Sequence, residues 1–152
     1  METQEKVGFV VRAIAWLIDM AILWFISIVL IFLFAGATGL AESASGGFFG
    51  FLGVALASAI VVINFLAQFL YFGYFWSRSG QSLGMNVMNA RVIRRNGQPL
   101  SFVRAGLRGT VGYYISSLVF FLGYLWALFD TDSETWHDKI FDTWVVLNKW
   151  VG

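Results

Sequence analysis

The stretch AIAWLIDMAILWFISIVLIFLF, residues 13–34, decides how the rest of this chain is read. It is 22 residues long and holds a single charge, Asp19. A helix of about 20 apolar residues crosses the hydrocarbon core of a bilayer, so this one is long enough to span. A secretory leader is the competing reading, since small residues (AGATGLA) follow. The apolar core of a leader runs only about 7–15 residues; this stretch is longer and contains an acid. We read it as a retained membrane helix.

Outward from it, residues 36–47 (GATGLAESASGG) are small and polar, with Glu42 and no basic residue, and read as a short exposed loop. Residues 48–76 contain no charge and form a second spanning segment. Asn64 and Gln68 lie within it, four apart and therefore on one helix face. Its last third is aromatic-rich, as at a membrane interface. Residues 77–110 are the polar centre, with Arg78, Arg91, Arg94, Arg95, Arg104 and Arg108 and no acid. A β-prone run from Arg91 followed by Asn96-Gly97 and Pro99 signals a β-hairpin. Ser101, ahead of FVRAGLR, stands where a helix N-cap belongs. Residues 111–129 are apolar again, interrupted by Gly112, Ser116, Ser117 and Gly123. The tail opens with Asp130, Asp132 and Glu134 and continues WHDKIFDTWVVLNKW; its residues 143–147 are β-prone and are expected to pair with 90–94.

Composition agrees. Of 152 residues, 59% are hydrophobic and 12% charged, against roughly 45–50% and 25% in soluble domains. A soluble domain this small leaves too much surface in water to hide that much apolar material. The absence of cysteine excludes disulfides, thiolate chemistry, Cys-ligated zinc and iron–sulfur clusters. One histidine is not a zinc site. There is no G-x-S-x-G, P-loop, G-x-G-x-x-G or H-E-x-x-H pattern, so neither an enzyme nor a bound cofactor is expected. Nucleic acid is not expected either, because the aromatics sit in the apolar segments rather than among the arginines.

Arginine clusters stay cytoplasmic. That places residues 77–110 and the N-terminus, with Lys6 and Arg12, inside, and the loop 36–47 outside. As a single crossing, 111–129 would put the tail outside. As a helix–break–helix hairpin with its break at Ser116-Ser117 and Gly123, it returns the tail inside, beside the arginines that its acids then neutralise. We take the second. The fold expected is an all-α integral membrane bundle forming a single domain. It has two clear transmembrane helices, a third membrane segment or re-entrant hairpin, and a short cytoplasmic β-hairpin.

Arg12 with Asp19 seven residues later, the linker GQSLGMNVMNARVIRRNGQPLSFVRAGLR (80–108) and the ending HDKIFDTWVV resemble the RDD family of membrane proteins, named for one arginine and two aspartates. By motif Arg12, Asp19 and Asp138 match the three. Phe141-Asp142 departs from the Ala-Gly usual before the threonine. The resemblance covers nearly the whole chain. It implies a multi-pass protein of the bacterial plasma membrane, with ion or small-molecule transport proposed for some members and no substrate implied.

Read as chemistry, Asp19 is the most informative residue. A carboxylate in a membrane helix costs about 2.5–3.5 kcal/mol on insertion scales and needs a partner or a proton. With Asn64 and Gln68 it forms a candidate oxygen-rich site for a cation or proton; the same residues also serve interhelical hydrogen bonding. Arg12 and Asp19 share a helix face two turns apart without forming an i,i+4 pair, so each is expected to meet another element. Asp138 is expected to pair with Arg104 or Arg108, and His137 is a candidate pH sensor. Arg78, Arg91, Arg94 and Arg95 suit anionic lipid headgroups. Two functions follow. One is a cation/proton carrier centred on Asp19, working as a homo-oligomer or larger assembly because one chain holds few helices. The other is an accessory or scaffold subunit of a larger membrane complex.

Overall fold

Long uninterrupted runs of Leu, Ile, Phe and Ala favour helix once no proline intervenes, and the only proline, at position 99, falls outside both long runs. In the computed structural model, which describes residues 5–43, 47–118 and 120–148, α1 spans Phe9–Ser43 and α2 Gly47–Arg78. Within them Phe9–Phe32 and Gly53–Arg78 are each long and apolar enough to cross a membrane. Both helices exceed the expected bounds of 13–34 and 48–76. The expected loop at 36–47 is a correction: α1 continues through it to Ser43 and α2 starts at Gly47. Residues 44–46 lie outside the described residues. Ala37, Leu40, Ala41 and Glu42 are strong helix formers, and they outweigh the small, polar character on which the loop reading rests.

After α2 come α3 (Leu83–Val87), β1 (Ala90–Arg94) and α4 (Phe102–Leu107). A π-helical turn (Arg108–Gly112) joins α4 to α5 (Tyr113–Ser117). Next are α6 (Leu122–Leu125), continued by a 3₁₀ turn at Trp126–Leu128, then α7 (Trp136–Phe141) and β2 (Thr143–Leu147). Strands β1 and β2 pair antiparallel, Ala90 opposite Leu147 and Arg94 opposite Thr143, as the β-prone tail suggested. The local hairpin does not form as expected. The turn is present, with Gly97 at φ 79°, its N–H on the Arg94 carbonyl and the Arg94 N–H on the Gln98 carbonyl at 2.9 Å, but the ladder of the strand is formed with the tail.

The third apolar stretch is broken. Its halves, Phe102–Ser117 and Leu122–Leu128, are bent by 104°, and Phe120 and Phe121 hold left-handed backbone at φ 46° and 59°, which bulky residues seldom adopt. The first half begins at Phe102, well ahead of the expected 111. Ser101 is its N-cap residue, although the side chain makes no capping bond.

The chain divides into two units, Met1–Met20 with Gln68–Gly152, and Ala21–Ala67. In the larger unit Phe72 and Trp76 are completely buried, with Tyr113 edge-on to both. Gly109 lies flush on Phe72, and a Cβ there would enter the ring. The smaller unit exposes Trp24, Phe25, Phe32, Phe51 and Val61. Inside it Ser27 bonds the Leu23 carbonyl and Asn64 Oδ1, and Asn64 donates to the Ile60 carbonyl.

Candidate functional site

Two polar clamps start from α1, two turns apart. The upper one is built on Asp138. α7 begins where Thr135 and Asp138 close on one another: the Thr135 N–H and hydroxyl donate to Asp138 Oδ2 at 3.0 and 2.7 Å. That turn aims the carboxylate at two arginines. Arg12 donates to Oδ2 and also to the Ser133 carbonyl, and Arg108 donates to Oδ1. Arg108 Nε reaches Thr143 Oγ1 at 3.0 Å, and that hydroxyl turns back to Asp138 Oδ1. The Arg108 guanidinium stands 4.5 Å from the centre of the Trp76 ring. Asp138 and Arg108 are both completely buried.

A buried carboxylate is costly unless paired. Burial pushes the Asp138 carboxyl up, but Arg12 and Arg108 outweigh that and hold it well below the usual carboxylate range. His137, beside it, runs the other way. It is 3% exposed, and burial together with the arginines drives its pKa well below the ordinary value, despite the opposing pull of Asp138. The neutral ring is then fixed as one tautomer. Thr135 Oγ1 gives its hydrogen to Asp138, so His137 Nε2, 2.8 Å away, must donate to it, and Nδ1 accepts from Ser116 Oγ at 2.9 Å. His137 is thus a fastener between α5 and α7.

The second clamp holds Asp19, which is 1% exposed. Its Oδ1 accepts from the Tyr71 hydroxyl at 2.7 Å and the Gly84 N–H at 2.8 Å, and its Oδ2 accepts from Ser82 Oγ. Ser82 caps α3, accepting from the Met85 N–H, while Tyr71 Oη accepts from the Leu83 N–H. The carboxylate therefore sits at the start of α3, where free N–H groups attract an anion. Close approach requires glycine at 84: any Cβ would strike the Ala15 carbonyl and the Asp19 carboxyl.

The expected cluster of Asp19 with Asn64 and Gln68 is not what these residues form. Gln68 donates to the Gly109 carbonyl at 2.7 Å, Asn64 bonds Ser27 and Ile60, and the partners of Asp19 are Tyr71, Ser82 and Gly84. Of the two arginines expected at Asp138, Arg108 is there and Arg104 is not; Arg104 Nη1 is buried with no hydrogen-bond partner. Arg12 is a second partner that spacing alone did not assign. Arg95 is drawn off by acids, meeting Glu134 at 2.7 Å and Asp142 at 3.3 Å. Arg78 is exposed beside Tyr74. Among the described residues no group of three or more His, Cys, Asp or Glu side chains is placed to hold a metal.

One arginine and two aspartates thus organise the chain, and the model of the RDD family matches residues 6–142. The chain belongs to the RDD family. It is also similar to the proline-rich antigen homolog of Mycobacterium tuberculosis (strain H37Rv), 32% identical over 73 residues, which are 47% of this chain and 30% of that protein. The proline-rich antigen of Mycobacterium leprae (strain TN) is 30% identical over 89 residues, 58% of this chain and 32% of that protein. The chain spans about a third of the length of these relatives. No solved structure matches it.

In this RDD protein Ser82, Gly84, Tyr71, Thr135 and Thr143 complete the clamps, and sequence reading passed over them as site residues. A signal was present for one: Gly84 closes the Gly-x-x-Leu-Gly run at residues 80–84 of the linker. The departure at Phe141-Asp142 also has a reason. Asp142 ends α7 in left-handed backbone, φ 55°, a conformation glycine takes freely and aspartate tolerates better than most residues.

Proposed function

We propose that this RDD protein is a multi-pass integral protein of the bacterial plasma membrane, with its N-terminus, arginine linker and tail on the cytoplasmic side, and that it works as a non-catalytic accessory or scaffold subunit. Two observations support the membrane topology. Phe9–Phe32 and Gly53–Arg78 have spanning length, and the third stretch doubles back so that β2 lies on β1. Exposed Arg78 with Arg91 and Arg94 then faces anionic headgroups, each such residue adding about 1 kcal/mol near the surface.

The observation that carries the scaffold reading is the state of Asp19. A bound cation needs carboxylate lone pairs and neighbouring oxygens. Here Tyr71, Ser82 and Gly84 all turn hydrogens toward Asp19, which makes it a fastener between α1 and α3. A second reading, cation/proton exchange at Asp19 by an assembly of several copies, is favoured by one fact. Among the described residues no ion pair includes Asp19, so its charge lacks a counter-charge that a proton or Na⁺ would supply.

Reconstitution in liposomes with an internal pH dye separates the two. Pulses of Na⁺ or K⁺ are expected to give no flux, and Asp19→Asn is expected to lower thermal stability only. Flux in the wild type that Asp19→Asn abolishes would establish the carrier.

A further inference from the structure

A cleft of about 220 Å³ lies within the larger unit, between the start of α1 and α6. Phe9, Ala13 and Trp16 line it from α1 at the i, i+4, i+7 spacing of one helix face. Tyr124 and Leu125 line it from α6. The surface turned inward is overwhelmingly carbon. Arg12, Arg108 and His137 also border the cleft, but their nitrogens are spent elsewhere: Arg12 on Ser133 and Asp138, Arg108 on Thr143 and Asp138, His137 on Ser116 and Thr135. Arg108 Nη1 and Trp16 Nε1, which have no partner, are enclosed and present no surface to it. Nor does charge call for an ion. Tyr113, at the inner end of the cleft, feels Arg12, Arg108, Asp19 and Asp138, and two positive charges with two negative ones sum to zero.

The outside of the cleft is apolar as well. Phe121 and Leu125, both in its wall, are exposed. Along α1, Val10, Ile14 and Leu17 stand one position beyond Phe9, Ala13 and Trp16, and all three are exposed. These residues open the candidate span Phe9–Phe32, so in a bilayer the rim meets acyl chains at the depth of one leaflet. An unfilled void forfeits dispersion contacts along its walls. An apolar cavity of about 150 Å³ already stays free of water and takes up benzene, and here the neighbouring liquid is itself hydrocarbon.

We propose that the cleft holds one acyl chain of a bilayer lipid, its methylenes packed against Phe9, Ala13 and Trp16 on one side and Tyr124 and Leu125 on the other. The bound chain wedges α6, the second arm of the broken third stretch, against α1. The inference rests on the membrane reading and is independent of the choice between scaffold and carrier.

The test is photolabelling of the full chain in phosphatidylcholine vesicles. They carry a trace of the same lipid with a diazirine near the end of one acyl chain, and adducts are mapped by peptide mass spectrometry. Exposed Trp24, Phe25 and Phe32 report contact with bulk lipid. Met85 and Tyr113 line the cleft and are only 6% and 7% exposed, out of reach of bulk lipid. Label is expected on Met85 or Tyr113 as well as on the exposed residues. Ala13→Phe fills the cleft from α1 and Leu125→Trp from α6. Each is expected to lower the inner label about tenfold, equivalent to about 1.4 kcal/mol of lost binding, while the outer label holds. Substitutions on opposite walls guard against a folding defect in one, and a single melting transition identifies the folded variant. Absence of inner label beside labelled Phe25 and Phe32 overturns the proposal and leaves the membrane reading standing; absence of label everywhere overturns both. Inner label that survives cleft filling in a folded variant also overturns it. So does a variant that turns a dimer into a monomer on native mass spectrometry, which would give the cleft to a second copy of the chain.

Discussion

Asp138 joins four parts of the chain: the start of α7 through Thr135, α1 through Arg12, the π-helical turn through Arg108, and β2 through Thr143. Replacing it by asparagine keeps the shape and removes the charge, leaving two arginines, one of them completely buried, without a counter-ion. Breaking a buried pair from one side costs about 3–5 kcal/mol, so Asp138→Asn is expected to lower stability by that order in a detergent denaturation series. Gly84→Ala has a different cause, a steric one against the Ala15 carbonyl, and is expected to cost about 1–3 kcal/mol, read as a lower melting temperature with the helix content retained. His137 gives a pH signature. Its folded pKa lies well below the ordinary 6.5, so below pH 6.5 the unfolded chain binds a proton that the folded chain does not. Stability therefore falls as pH falls from 6.5 toward the folded value. Asp138 acts in a lower window: its lowered pKa contributes stability that is complete above 3.8 and is lost as pH falls through the folded value. The chain has one histidine, so the fall in melting temperature between pH 6.5 and 5 is expected to flatten in His137→Gln, and an unchanged slope would assign it elsewhere. Arg12, Asp19 and Asp138 were legible in the sequence by resemblance, and Arg108 by its charge opposite an acidic tail. Tyr71 and Ser82 were not, because what makes them partners of Asp19 is a tertiary contact made possible by a missing Cβ at 84.

At the scale of elements, the apolar runs announced both long helices, and the β-prone segments announced β1 and β2. Their pairing sets residues far apart in the chain opposite each other, which gives a direct test. Val92 faces Val145 in the register, and directly opposed residues have Cα atoms about 4.5–5.5 Å apart, within disulfide reach. The chain has no cysteine, so Val92→Cys with Val145→Cys is expected to cross-link under mild oxidant without background. Cross-linking of Val92→Cys with Leu147→Cys in its place would show a shifted register. Two features lay beyond periodicity. Asn64 and Gln68 share a helix face, but a face does not say which neighbour it meets. The π-helical turn at Arg108–Gly112 inserts Arg108 toward Asp138 in a run that reads as ordinary helix, and π-turns occur often at functional positions.

For the whole molecule, the proposed topology predicts that reporters placed ahead of Lys6 and after Gly152 both give a cytoplasmic signal; an outside signal from the second would remove the re-entrant arrangement of 102–128. Beneath that lies the central claim, that the family's first arginine and last aspartate fasten the two ends of this chain while Asp19 fastens the linker separately. A double-mutant cycle in detergent-solubilised protein measures it. Arg12→Gln and Asp138→Asn are expected to couple by about 1–3 kcal/mol, the range for residues in one buried network. Arg12→Gln with Asp19→Asn, two clamps with no shared partner, is expected to be additive within about 0.5 kcal/mol. Additivity of Arg12 with Asp138, or coupling of Arg12 with Asp19 in its place, would contradict it.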